Sequence, residues 1–162
     1  MKTMKRLVSS VMIISFSIFM WGSVAYADTA MSPVGLWRTI DDRTGKPKAI
    51  VRISETASGE FGGEIVRSLD PAIPPDRRCT ACKDERKDQL LTGLPIIRGM
   101  KKDGSHWEGG NILDPASGEV YDCSMRLKDG GQKLVVRGFV GMSLFGRSQC
   151  LTENELSDFS GL

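Results

Sequence analysis

Short runs in which apolar and polar positions alternate occupy most of the chain after residue 33, and they predict an all-β protein. In the clearest run, residues 49–55, Ala49, Val51 and Ile53 fall on one side of the predicted strand. A period of two residues is typical of a strand with one buried face. Eight such runs are found and no helical pattern: 34–40, 49–55, 60–69, 95–100, 106–113, 120–127, 133–140 and 144–151.

Turn residues separate these runs, as in Asp114-Pro115-Ala116-Ser117-Gly118 and Asp129-Gly130-Gly131. Evenly spaced short strands with turns between them are typical of a sandwich or a barrel. Trp37 on the first run and Arg147 on the last favour the barrel, with the guanidinium stacked on the indole where the last strand meets the first. The sequence thus predicts an eight-stranded antiparallel barrel with one long loop, residues 70–93, between the third and fourth strands.

An eight-stranded barrel is just wide enough either to be filled by side chains or to hold one small ligand. The residues that alternation places inside are Trp37, Val51, Ile53, Phe61, Ile65, Tyr121, Met125, Leu134 and Val136. Several of them are large, so both possibilities stay open.

The first 27 residues have the pattern of a cleavable signal peptide. Lys2, Lys5 and Arg6 precede an apolar stretch over residues 7–21, and Ala25-Tyr26-Ala27 is a small-x-small cleavage site. The apolar stretch is short for a bilayer span, which needs about 20 residues. We therefore expect export to the periplasm, a single domain over residues 28–162 and no membrane span in the mature protein.

The charge balance argues against a nucleic-acid partner. The chain has 22 Lys and Arg against 20 Asp and Glu, and the three basic residues of the signal leave 19 basic residues in the mature protein. A near-neutral domain lacks the basic surface on which nucleic-acid binding depends.

Four cysteines, Cys79, Cys82, Cys123 and Cys150, lie in the exported part. In an oxidising compartment an even count favours disulfides, and three pairings are possible. The favoured interpretation is a local Cys79–Cys82 clip, which leaves Cys123 and Cys150 to pair through a bend or across the interior. A bridge from Cys79 or Cys82 to Cys150 is the competing interpretation.

The chain contains few residue patterns that indicate catalytic chemistry. His106, the single histidine, lies between Asp103 and Glu108 and is interpreted as a surface residue beside a turn. Cys79-Thr80-Ala81-Cys82 is followed by Lys83, so it lacks the histidine that c-type haem attachment needs. The sequence predicts no metal, no cofactor and no enzymatic activity. A thiol-disulfide activity of the Cys79/Cys82 pair is kept as a minor alternative.

Two arginines are candidates for an inward, ligand-binding position. Arg67 shares a side with Phe61 and Ile65, and the pattern around Arg137 is ambiguous. A buried guanidinium needs a carboxylate, carbonyls, an aromatic face or an anionic ligand. The favoured interpretation is structural, with Arg67 bonded to loop carbonyls. The sharper hypothesis makes Arg67, Arg137, Tyr121 and Phe61 a ligand site in which an inward arginine anchors the head group of an amphipathic molecule.

Gly35-Leu36-Trp37 together with Arg147 resembles the lipocalin and calycin signature, and longer stretches resemble one family of bacterial exported proteins, the domain of unknown function numbered 2147. The resemblance implies a calycin-like (lipocalin-like) barrel in the envelope of a Gram-negative bacterium, and it implies no settled activity. Cys150 departs from the pattern, which puts a family-wide disulfide role for it in doubt. The stretches are residues 35–39, 42–47, 109–115, 136–141 and 144–149.

Three hypotheses for function follow. The leading one is a non-enzymatic periplasmic barrel that binds a small apolar or amphipathic, lipid-like molecule. The first alternative is a protein-interaction or inhibitor module that docks on an envelope partner through the 70–93 loop. The second alternative is a redox protein that uses Cys79 and Cys82.

Overall fold

The computed structural model describes residues 31–41 and 43–140, and the backbone of residues 146–153. In this part of the chain eight antiparallel strands form a closed barrel in sequence order, with the last strand paired to the first. The strands are β1 (Gly35–Ile40), β2 (Pro47–Glu55), β3 (Phe61–Ser68), β4 (Pro95–Asp103), β5 (His106–Asp114), β6 (Glu119–Lys128), β7 (Lys133–Phe139) and β8 (Gly146–Glu153). A 3-10 turn, Asp129–Gly131, joins β6 to β7.

The predicted fold class is confirmed, and each predicted run overlaps a strand. β4 is the main difference in length, because it continues past Met100 to Asp103 before the turn at Gly104. The predicted irregularity at Gly109-Gly110 is also confirmed, since the register between β5 and β6 shifts between Trp107 and Gly110. A Cβ at Gly110 would lie 2.3 Å from the carbonyl oxygen of Arg98, so the wall can bend here only around a glycine.

Large side chains fill one end of the barrel, the end at which β1 begins and β2 ends. Phe61 packs edge-on against Trp107, with ring centroids 5.8 Å apart, and Met100 beside them is fully buried. The other buried members of this floor are Trp37, Ile53, Met125 and Leu134. All the residues predicted to lie inside are buried except Tyr121, which is half-buried.

The strand register contradicts the predicted contact between Trp37 and Arg147. Trp37 pairs with Glu153, whereas Arg147 pairs with Gly138 at the other end of β8. Six residues of strand separate Glu153 from Arg147, about 20 Å at roughly 3.3 Å per residue. Trp37 is 2% exposed, and its Nε1 donates a hydrogen bond to the carbonyl oxygen of Pro33 at 2.7 Å.

The predicted signal peptide, residues 1–27, lies outside the described residues. Among the residues that are described, no helix has the length and apolar character needed to cross a bilayer.

Candidate ligand cavity

The end of the barrel opposite the floor is open to a cavity of about 760 Å³. This volume is within the range of small-molecule sites, roughly 300–1,000 Å³. The side chains of the floor are not among the lining residues, so the cavity occupies the other half of the barrel. Its apolar wall includes Val51, Ile65, Ile96, Ile112, Leu113, Val136 and Phe139.

Residues 69–94, the segment between β3 and β4, form one side of the cavity mouth. Ile73, Arg77, Arg78 and Leu91 of this segment line the cavity. The backbone of the segment is tied to itself: Cys79 N donates to Gln89 O and Leu91 N to Arg77 O, each at 2.8 Å. These bonds fix the backbone from which Arg77 and Arg78 project.

The same segment is docked on the turn between β5 and β6. The Cys79 sulfur lies 3.6 Å from the carbonyl oxygen of Pro115, and Lys83 forms an ion pair with Glu119. Gly118 has φ +73°, and a Cβ there would lie 1.8 Å from the carbonyl oxygen of Ala81. The two loops thus approach so closely that only glycine fits at this position.

A buried arginine anchors the base of the segment. Arg86 is 2% exposed; its Nε lies 3.0 Å from both carboxylate oxygens of Asp84, and its Nη1 donates to Pro95 O at 3.1 Å. Hydrogen bonds from the Arg86 side chain and backbone lower the pKa of Asp84 to about 2. The guanidinium therefore joins the loop to the first residue of β4.

Among the described residues, four charged side chains line the cavity, and three of them are cationic: Lys48, Arg77 and Arg78, against Asp114. Arg78 Nη1 donates to the carbonyl oxygen of Asp88 at 2.8 Å. Asp114 accepts hydrogen bonds from Ala116 N and from the Ser117 hydroxyl, each at 3.0 Å. All three cations are solvent-exposed, which places them at the mouth rather than among the buried apolar residues of the wall.

Comparison with known proteins identifies the family. A family model described as "Uncharacterized protein conserved in bacteria (DUF2147)" matches residues 35–153. The chain belongs to the DUF2147 family. No curated protein matches it. Among solved structures it is similar to one described as "Protein HP1028 from the human pathogen Helicobacter pylori belongs to the lipocalin family", with a TM-score of 0.67, 13% identity, and coverage of 79% of this chain and 86% of the other. The lipocalin-like barrel expected from the resemblance is thereby confirmed.

The predicted ligand-binding residues of this DUF2147 protein are only partly brought together. Tyr121 lines the cavity, but Phe61 belongs to the floor. Arg67 is exposed on the outer side, and the prediction that it points inward is wrong. The reason is a bulge in β3. Ile50 pairs with Arg67 and Val51 pairs with Ile65, so β3 has one extra residue here and Arg67 falls on the opposite face of the sheet from Ile65.

Arg137 also lies outside the cavity. Its neighbours Val136 and Gly138 line the cavity, so alternation places Arg137 on the outer face. Its Nε is buried and has no hydrogen-bond partner among the described residues. The ambiguity that the sequence left at this residue is therefore resolved against an inward position.

Of the two disulfides that the favoured interpretation predicted, only the Cys79–Cys82 bridge is confirmed in the described part of the chain. Cys79 and Cys82 form a disulfide, and each residue is 1% exposed. Cys123 is a buried free cysteine, and burial raises the pKa of its thiol to about 12.

The predicted Cys123–Cys150 bridge is wrong, because the register separates the two positions. Cys123 pairs with Gly138 and Cys150 with Val135, so they are two strand spacings and three residues apart. Two spacings alone are about 9.6 Å, more than the Cα separation of a disulfide. The competing bridge to Cys150 is excluded because Cys79 and Cys82 are bonded to each other.

His106 lies at the floor end of the barrel, where it begins β5 beside the turn from β4. Its Nε2 is 3.3 Å from a carboxylate oxygen of Glu108 and 3.7 Å from one of Asp103. These groups could contact a cation, but the two carboxylates are exposed and the cluster is distant in the fold from the cavity. The interpretation of His106 as a residue beside a turn agrees with this position.

Sequence reasoning missed the mouth cations and the buried arginine of the loop. Lys48 precedes the run with the clearest alternation, residues 49–55. Alternation predicted which residues of that run face the interior, but it could not predict a cavity beside Lys48. Arg77, Arg78 and Arg86 lie in a charged segment without a period, and such segments are usually solvated. Proximity of Arg77-Arg78 to the Cys79 clip was the one available signal that their backbone is fixed.

Proposed function

We propose that this DUF2147 protein is a non-enzymatic exported barrel that binds one small apolar or amphipathic, lipid-like molecule in the bacterial envelope. The observation that carries the proposal is the open cavity of about 760 Å³ with an apolar wall above a filled floor. The signal-like pattern of residues 1–27 supports a periplasmic location for the mature domain.

The shape of the cavity favours a molecule with an apolar body. Val51, Ile65 and Val136 are nearly fully buried at its wall, so an inserted alkyl chain would contact aliphatic side chains on several strands. Each buried methylene contributes about 0.8 kcal/mol, or roughly fourfold in affinity. Affinity should therefore rise with chain length until the tail reaches the floor.

A homologous series of alkyl probes tests this function. Unbranched carboxylates of increasing length are titrated against the mature protein by calorimetry and by displacement of an environment-sensitive fluorophore. We expect one site per chain and a rise of roughly fourfold per methylene that stops at a defined length. Affinity that does not depend on chain length, or no binding at any length, would contradict the proposal.

A pair of neighbouring substitutions shows whether the probe enters the cavity. Val136 lines the cavity, whereas Val135 alternates with it on the other face of β7. Val136→Phe adds a ring inside the cavity and should weaken the longest probe at least tenfold. Val135→Phe is the matched control and should leave affinity unchanged if both variants unfold as cooperatively as the wild type.

The redox alternative has less support. The sulfur atoms of Cys79 and Cys82 belong to residues that are 1% exposed and packed against the β5–β6 turn. Exchange requires attack of an external thiolate on an accessible sulfur, and this packing opposes it.

A further inference from the structure

The cations at the cavity mouth lack carboxylate partners in the described part of the chain. The mouth cluster, which we define as Lys48, Arg77 and Arg78, forms no ion pair with any described residue. Some exposed cations elsewhere on the barrel are paired, as Arg52 is with Glu64 and Arg98 with Glu85, whereas Lys102 and Lys128 also form no ion pair with any described residue. The mouth cluster differs from the other unpaired cations in its position, because all three of its members line the cavity.

The backbone positions of the cluster are fixed by the fold. Lys48 lies on β2, and the backbone of Arg77 and Arg78 is held against residues 89–91 by hydrogen bonds and an isolated β-bridge between Arg78 and Leu90. One guanidinium nitrogen of Arg78 is used on the carbonyl oxygen of Asp88. A guanidinium has five donors, so most of the hydrogen-bonding capacity of Arg78 remains for a ligand.

The opposing charge at the mouth is smaller. Asp114 is the one carboxylate among the described lining residues, and both of its oxygens accept hydrogen bonds from its own turn. The described lining thus has a formal excess of two positive charges next to an apolar wall. An anion at the mouth with a hydrocarbon tail below it satisfies both parts of the cavity.

Resting on the proposed function, we infer that the ligand is an anionic amphiphile whose head group, a carboxylate or a phosphate monoester, is bound by Lys48, Arg77 and Arg78. The tail enters the barrel and contacts Val51, Ile65 and Val136. Arginine forks match the oxygens of carboxylate and phosphate, and lysine adds a point charge. Because the cations are exposed, their contribution is screened by salt and each is worth at most about fivefold in affinity.

Four probes with twelve-carbon chains, in which the carboxyl carbon of dodecanoate is counted, test the inference on the mature protein: dodecanoate, dodecyl phosphate, dodecanol and dodecyltrimethylammonium. We expect both anions to bind at least tenfold more tightly than the alcohol, the cationic probe to bind most weakly, and the preference for anions to fall as salt is added. The ratio between dodecanoate and dodecyl phosphate distinguishes the two possible head groups.

Substitutions assign the preference to the mouth. The triple variant Lys48→Gln, Arg77→Gln and Arg78→Gln should bring the affinity for the anions to the level that the same variant shows for the alcohol. Asp114→Asn should strengthen anion binding by about twofold to fivefold, because it removes the opposing charge and keeps a side-chain oxygen for the turn.

A matched control removes the same net charge far from the mouth. Lys101→Gln, Lys102→Gln and Lys128→Gln change exposed residues on β4 and β6 toward the floor end and should leave the preference for anions intact. If the wild type binds dodecanol as tightly as dodecanoate, or if both triple variants lose the preference equally, the head-group inference is wrong and the proposed barrel function stands. If none of the four probes binds, both are overturned.

Discussion

Arg86 should be far more important for stability than its place in a charged stretch suggests. The substitution Arg86→Met keeps much of the side-chain volume but removes the hydrogen bonds to Asp84 and to the carbonyl oxygen of Pro95. The guanidinium side chain is 3% exposed, so water cannot replace it without opening the loop.

The expected loss in free energy of unfolding follows from the groups that lose their partner in Arg86→Met. Removing one partner of a buried ion pair typically costs about 3–5 kcal/mol. The Asp84 side chain is 34% exposed and keeps some hydration, which lowers the cost, whereas Pro95 loses a bond to a charged donor. We expect a loss of about 2–4 kcal/mol in the free energy of unfolding, and a Tm lower by about 6–12 °C.

Urea and thermal unfolding of the mature, disulfide-intact protein provide the assay, with Arg52→Met as the control. Arg52 also forms an ion pair with a carboxylate, Glu64, but the two side chains are 52% and 41% exposed. An exposed pair contributes at most about 1 kcal/mol. If Arg86→Met is no more destabilising than Arg52→Met, the reasoning that loop 69–94 is anchored through a buried guanidinium is refuted.

Three further predictions concern acid stability and the cysteines. The pKa of Asp84 is lowered from 3.8 to about 2 in the folded protein, so its contribution to the free energy of unfolding is complete above pH 3.8 and is lost as the pH falls toward 2. The variant Asp84→Asn should therefore show a weaker pH dependence of urea stability over that range. A pH dependence equal to that of the wild type would count against the assignment to Asp84. Replacing Cys79 and Cys82 by serine should cost about 2 kcal/mol from loop-closure entropy, and undiminished urea stability would show that the clip is dispensable. In a Cys150→Ser variant Cys123 should react with iodoacetamide at pH 8 only on unfolding, because burial raises its pKa to about 12; rapid alkylation of the native protein would contradict its burial.

Local patterns were sufficient to predict the strands and most of the barrel interior. Alternation is set by neighbouring residues, so Val51, Ile53 and Met125 could be placed inside from their own strands alone. The Cys79–Cys82 bridge could also be predicted from sequence, because the two cysteines are only three positions apart.

Features that depend on register could not be predicted in the same way. The bulge that turns Arg67 outward adds one residue between two correctly patterned stretches, and the β-branched Ile65 and Val66 beside it fit either face. The separation of Trp37 from Arg147 depends on the stagger of β8 against β1, which strand count does not determine.

The candidate site was the least predictable part, because it depends on tertiary contacts of an irregular segment. Arg77, Arg78 and Arg86 lie within ten residues of one another, yet two line the mouth and one is buried under the loop. Nothing in their local sequence distinguishes them. Only the docking of the segment on Gly118 and Pro95 assigns their positions.

Native mass spectrometry of the mature protein, isolated from a bacterial envelope extract without detergent, shows whether the barrel carries a ligand. We expect a fraction of the protein to carry one additional small molecule, which is released on denaturation and is absent from Val136→Phe but present on Val135→Phe. A wild-type protein that carries no such mass, or a mass equally retained by Val136→Phe, would contradict a ligand inside the barrel.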